Sequence, residues 1–232
     1  MLKPRSPLRP ILRSASLADR VYETLREHFR SGAIGRDQPL REALLAQQLG
    51  VSRTPLREAL ARLASEGFIQ VDGRSFAVSA RSEEDIDEIY ELRMLLETEA
   101  IRSAATAPER DVGLAGVRRA LRAAESAHLA ADAKAFIAAN REFRDSWLAM
   151  VRNRRLAQAV ERYADHVRAL QVSTLDDRAR QRIVLAGMKK ISNAIAAGDA
   201  DAASRAMREY LGVARAAMAT LAGRQTQSRS AA

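Results

Sequence analysis

The sequence predicts a mainly α-helical protein in two parts: three helices closed by a small β-hairpin, then an all-α helical bundle. Three observations carry this. Alanine and leucine dominate while aromatics make up only 4% of the 232 residues, a balance that favours helix over sheet. Apolar residues recur at steps of three and four through most of the chain, the repeat of a single helix face. Near residues 68–79 that repeat yields to two short β-prone runs around a turn-forming DGRS.

The totals exclude several classes. No cysteine is present, so disulfides, thiolate metal sites, iron–sulfur clusters and cysteine nucleophiles fall away. The net charge is +9, and residues 1–80 carry 13 Lys/Arg against 8 Asp/Glu, which points the first third toward a polyanion. No apolar run approaches the ~20 residues of a membrane span. The start, MLKPRSPLRPILRSAS, is basic without a continuous apolar stretch and reads as a flexible arm (1–15) bearing Lys3, Arg5, Arg9 and Arg13. A soluble cytoplasmic protein is expected.

The elements follow in order. Leu17, Val21, Leu25 and Phe29 recur every four residues behind Ser16, a helix with its cap. Gly32, Gly35 and Pro39 end it in a loop. A second helix, about 41–49, carries Leu44, Leu45 and Leu49 and stops at Gly50, which is free to take positive φ. Ser52 or Thr54 can cap the third helix, and Pro55 is tolerated in its first turn. FIQV (68–71) and FAVS (76–79) form the hairpin. From Ser82 the chain returns to helix, with segments near 83–106, 109–130, 132–151, 154–173, 177–197 and 199–222. Breaks fall at Pro108, Asn153, Asp176 and the Gly198-Asp199 pair. The organisation expected is a basic arm (1–15), a mixed module (16–80), a helical module (81–223) and a disordered tail (224–232).

LGVSRTPLREALARL carries the most information. Leu56, Ala59, Leu60 and Leu63 turn inward at helical spacing, leaving Arg53, Thr54 and Arg57 outside the helix's N-terminal end. Recognition helices read the major groove with such residues, and arginine can donate twice to a guanine edge or to phosphate. The order helix–helix–helix–hairpin is that of a winged helix-turn-helix, with Asp72-Gly73-Arg74 at the wing tip.

With these residues in view, LREALLAQQLGVSRTPLREALARLASEGFI resembles the N-terminal signature of the GntR family of bacterial transcription regulators. The resemblance covers about residues 17–79. It implies that Ser52, Arg53, Thr54 and Arg57 contact operator DNA and that Gly73 and Arg74 lie at the wing tip. Ala43 stands where some relatives place an arginine, and Arg41 is the neighbouring candidate. The wing lacks the family's usual arginine-glycine pair.

The helical half is similar, more loosely, to the FCD type of effector domain, on Arg93-Met94-Leu95-Leu96-Glu97, the order of six helices and AIAAGDADAASRAMREYL. Six helices suit its VanR-like branch. The resemblance implies homodimerisation and a pocket for a small metabolite, commonly an organic acid. Many such domains hold a divalent metal with one Asp and three His. Those positions fall on Asn140, Arg144, Met188 and Tyr210, none of them a suitable ligand here, so no metal or other cofactor is expected. His28, His128 and His166 match none of the ligand positions and are expected on the surface or in packing.

Phe136, Asn140, Arg144, Trp147 and Val151 share one face of the 132–151 helix, so an amide and a guanidinium stand on a side that buries carbon. Either the pocket is packed core, with Met188 filling it and Arg144 paired internally, or Arg144 grips a carboxylate effector assisted by Asn140 and Tyr210. Arg93 is a second candidate anchor. The reading expected is a sequence-specific regulator, with an effector-independent regulator and an architectural DNA binder as alternatives. No nucleophile motif, phosphate loop or metal cluster points to an enzyme.

Overall fold

The computed structural model describes residues 16–31, 34, 39–72, 75–78 and 82–230. The chain divides into two compact units, with the boundary between Ser79 and Ala80.

The first unit holds α1 (Leu17–Ser31), β1 (Pro39–Leu40), α2 (Glu42–Leu49), α3 (Arg53–Ser65), β2 (Ile69–Asp72) and β3 (Ser75–Val78). Ser16 caps α1 as its sequence suggests: its hydroxyl accepts from the Asp19 amide at 3.1 Å, and Asp19 accepts from the Ser16 amide at 3.0 Å. Val21, Tyr22, Leu25 and Phe29 bury the inner face of α1 against α3, whose Leu56, Leu60 and Leu63 are fully enclosed. Gly50 ends α2 at φ 63°, a left-handed conformation that glycine adopts without steric cost, so α3 can follow after a tight turn.

Two readings of this unit need correction. The sheet has three strands in the order β1-β3-β2, because the two-residue β1 pairs antiparallel with β3, Leu40 opposite Phe76. Pro39 reads as a loop signal, yet a proline is tolerated on an edge strand, where its missing N–H breaks no ladder. At the start of α3, Ser52 occupies the cap position but its side chain makes no capping bond. The hydroxyl stays exposed instead.

The second unit contains α4 (Glu83–Ala105), α5 (Arg110–Leu129), α6 (Ala133–Leu148), α7 (Arg154–Thr174), α8 (Arg178–Ala197) and α9 (Ala200–Ser230). Short acidic or amide caps set the starts. Ser82 and Asp85 form a reciprocal capping box on α4, Asp132 and Asp177 cap α6 and α8, and Asn153 and Asp199 accept from the first-turn amides of α7 and α9. Such caps satisfy N–H groups that the helix itself cannot. α5 lies along α6, α4 along α9, and α8 packs on both α5 and α9. Phe136, Phe143, Trp147, Ile101, Ile191 and Leu211 are among the enclosed core. The expected tail from residue 224 is instead helix, since α9 runs to Ser230. Its Arg and Gln are good helix formers, and Gly223 alone costs only ~1 kcal/mol.

Candidate functional site

Two sites are built by this fold, one in each unit. In the first, the N-terminal end of α3 presents Ser52, Arg53, Thr54 and Arg57 to solvent, because the inward positions are taken by Leu56, Ala59, Leu60 and Leu63. Arg53 and Thr54 have no side-chain hydrogen bond or ion pair among the described residues. The Nε of Arg57 lies 3.6 Å from an Oε of Glu42 on α2, which steadies the side chain while it stays largely exposed. Arg41, exposed at the cap position of α2, adds a cation on the same helix pair. A cluster of arginines and hydroxyls on a helix N-terminus, where backbone N–H groups also favour anions, suits the edges and phosphates of duplex DNA. Gly73 and Arg74, expected at the wing tip, lie outside the described residues.

Two internal contacts hold α3 in place. The Tyr22 hydroxyl donates to Glu66 at 2.5 Å, and the Arg62 guanidinium sits 3.7 Å from the centre of the Tyr22 ring. Burial, reinforced by the bond to Glu66, pushes the Tyr22 phenol up to about 12.

The second site lies in the helical unit. Asn140 on α6 donates through Nδ2 to the Tyr210 hydroxyl on α9 at 2.9 Å and approaches the Met188 sulfur on α8 at 3.6 Å. Gly187 makes room for this, since a Cβ there would stand 2.6 Å from the Tyr210 ring. Burial pushes the Tyr210 phenol above its ordinary value, so it remains a neutral hydrogen-bonding group. Nearby, Arg93 and Glu97 form an ion pair at 2.6 Å with side chains only 2% and 1% exposed. Burial works against the Arg93 charge, but the Glu97 carboxylate more than offsets it and the guanidinium is held above its ordinary range. Arg93 is therefore committed to Glu97 and to the face of Tyr90, 4.7 Å away.

Asn140 and Tyr210 line a cavity of about 160 Å³ walled chiefly by α8 and α9 and open to solvent on one side, where Ile183 and Val213 stay exposed. Arg93, Arg144 and Met188 are not part of its lining. The structure thus joins Asn140, Met188 and Tyr210 by direct contact, sets Arg93 beside them and leaves Arg144, one turn from Asn140 on α6, off the cavity lining. Nε and Nη2 of Arg144 are buried without a hydrogen-bond partner, and no ion pair to it exists among the described residues. The sequence reading missed Arg180, Ile183, Gly187, Val213 and Ala217, which also border the cavity. Each helix carries only part of the signal: these residues recur at helical spacing on α8 and on α9, with alanine and glycine where bulky residues would close the space.

The metal implied by the family resemblance does not suit these residues. The Asn140 amide nitrogen is spent on the phenol and thioether, the phenol is neutral, and a guanidinium stands one turn away on α6. The histidines are engaged elsewhere. His128 Nδ1 donates to Gln181, whose Nε2 donates in turn to the Leu175 carbonyl, both at 2.8 Å, and His166 packs against the Tyr163 ring.

A winged helix with an exposed, arginine-bearing recognition helix, followed by a helical unit that carries a pocket, defines a DNA-binding transcriptional regulator. The family comparisons agree. Residues 17–78 match the model of bacterial regulatory proteins of the gntR family and residues 88–213 match the FCD domain. The chain belongs to the gntR family of transcriptional regulators, in its FCD-containing form. It is 25% identical over 186 residues to the HTH-type transcriptional regulator YdhC of Bacillus subtilis (strain 168), covering 79% of this chain and 83% of that relative. The gluconate operon transcriptional repressor of the same organism is 42% identical over 87 residues, 38% of this chain and 36% of the relative. Among solved structures, Escherichia coli McbR/YncC superposes with a TM-score of 0.74 at 25% identity, covering 90% of this chain and 99% of that one.

Proposed function

We propose that the protein is a homodimeric repressor that holds a two-fold symmetric operator and releases it when a small molecule occupies the helical unit. The exposed end of α3 carries this reading: Arg53, Thr54 and Arg57 are displayed outward on a rigid helix whose other face is fully buried. Two such helices on a dimer reach successive major grooves about 10 bp apart. Relatives named as repressors support repression. Leu92 and Leu95 stand exposed on α4 and give a second copy of the chain an apolar pair to cover. The cavity beside Asn140 favours a small-molecule effector over a filled, unresponsive core. The ligand's charge is a separate matter: the carboxylate implied by the family resemblance was to be held by Arg144 or Arg93, and neither is on the cavity wall. No catalytic role is proposed, and the cytoplasm is the compartment in which this reading places the protein.

Selection of sites from a random DNA library, followed by competition with unrelated duplex, tests the DNA half. A regulator keeps its selected site in at least a hundredfold excess of competitor, on the order of known specificity ratios. Equal loss to random duplex identifies an architectural binder instead.

A further inference from the structure

We infer that the cavity between α8 and α9 binds a compact, neutral, largely apolar molecule about the size of one six-membered ring, hydrogen-bonded at one end to the Asn140–Tyr210 pair. This rests on the effector reading above and narrows the ligand's chemical class.

Size sets the first limit. The cavity measures about 160 Å³, and an apolar cavity of ~150 Å³ takes up benzene. Its walls set the second. Ile183, Val184, Val213, Ala214, Ala217 and Met218 make most of it carbon, so the occupant gains mainly from apolar contact. The polar end is defined by one pair. The Tyr210 oxygen accepts from Asn140, leaving its proton to donate and the Asn140 carbonyl oxygen to accept. A hydroxyl on the ligand satisfies both, accepting from Tyr210 and donating to Asn140, whereas a carbonyl satisfies Tyr210 alone.

Charge sets the third limit. Among the described residues, each cation bordering the cavity already faces a carboxylate: Lys190 Nζ lies 2.7 Å from Glu209, and Arg180 Nε lies 3.6 Å from Asp177. An anion entering here loses its hydration and finds no unmatched positive group to compensate it. The unpaired nitrogens of Arg144 are not on this wall. A neutral molecule incurs no such loss.

Calorimetry on the full chain with benzyl alcohol, benzoate and succinate separates the classes, with release of the selected DNA site read in parallel. Benzyl alcohol is expected to bind one per chain, at least tenfold more tightly than benzoate or succinate. Ala214→Phe, which fills the cavity, is expected to abolish that binding while leaving the helical melt intact. Ala217→Leu does the same if the larger ring disturbs folding. Tyr210→Phe is expected to weaken binding several-fold. Tighter binding of benzoate or succinate overturns the neutral class but leaves the effector reading standing. Undiminished benzyl alcohol binding in a correctly folded Ala214→Phe or Ala217→Leu overturns the location. Binding by none of the three probes, with no effect on DNA release, removes both the class and the effector reading.

Discussion

The Arg93–Glu97 pair offers a direct measure of what the polar cluster does for the fold. Substituting Glu97→Leu keeps most of the side chain's volume but leaves the guanidinium buried without its carboxylate. The two side chains are 2% and 1% exposed and 2.6 Å apart, so water cannot replace the lost partner. Breaking one side of such a buried pair costs about 3–5 kcal/mol. The Tyr90 ring, still 4.7 Å from the guanidinium, returns ~1 kcal/mol of that through cation–π attraction. A net loss of about 2–4 kcal/mol follows, or a fall in Tm of roughly 4–16 °C at the ~2–4 °C per kcal/mol expected of a domain this large. Trp147, the only tryptophan, lies in α6, so its fluorescence in urea follows the helical unit alone. The double variant Arg93→Met/Glu97→Leu removes both charges and is expected to recover to within about 1 kcal/mol of the natural protein. If the double variant is as unstable as the single one, shape rather than charge holds this cluster and the reasoning fails.

Other expectations concern both units. Arg57→Ala is expected to weaken operator binding by ~1–3 kcal/mol and relax preference at one base position; uniform weakening on all sequences marks a phosphate contact instead. Glu42→Ala, which releases the Arg57 stem, is expected to broaden base preference without lowering stability, as read by the same site selection. Because the folded Tyr22 phenol sits near 12 against an ordinary value of about 10, its contribution is complete below pH 10 and lost as pH rises through 12. Tyr22→Phe should therefore be less stable than the natural protein at pH 9, and the difference in urea midpoint should shrink by pH 12; a constant difference contradicts the assignment. Leu95→Glu is expected to shift the protein from dimer to monomer in light scattering and to weaken operator binding with it, whereas an unchanged mass places the dimer contact elsewhere.

Most of the architecture was legible because its signals are local. Ser16, Asn153 and the Gly198-Asp199 pair marked helix ends that the caps and the left-handed Gly198 realise. The exposed end of α3 was legible for the same reason, since one helix's periodicity decides which of its residues face out. What failed to show depended on distant partners. The pairing of β1 with β3 joins residues 39–40 to 76–77, and nothing in a two-residue segment announces it. Arg93 and Glu97 stand one turn apart in sequence, but whether that pair lies on the surface or at 2% exposure depends on what packs over α4. The cavity needed two helices together, because α8 and α9 each show only half of its wall.

The residues at the positions that the family resemblance assigns to metal ligands make contacts of their own. In the ligand set that the family resemblance implies, a metal does two things: it ties helices together through its bonds, and it offers positive charge to an acidic effector. Here the first role is carried by hydrogen bonding, since Asn140, Met188 and Tyr210 join α6, α8 and α9 at one point. The second role has no heir on the cavity wall. Arg93 is neutralised by Glu97, Lys190 by Glu209, and Arg144 lies off the lining. A site that keeps the cross-link and gives up the charge can still couple occupancy to helix packing, because any ligand filling the space between α8 and α9 contacts both. On the effector proposal, its selectivity moves from charge toward shape and a single hydrogen bond, and the class of molecule able to shift the regulator's DNA affinity moves with it.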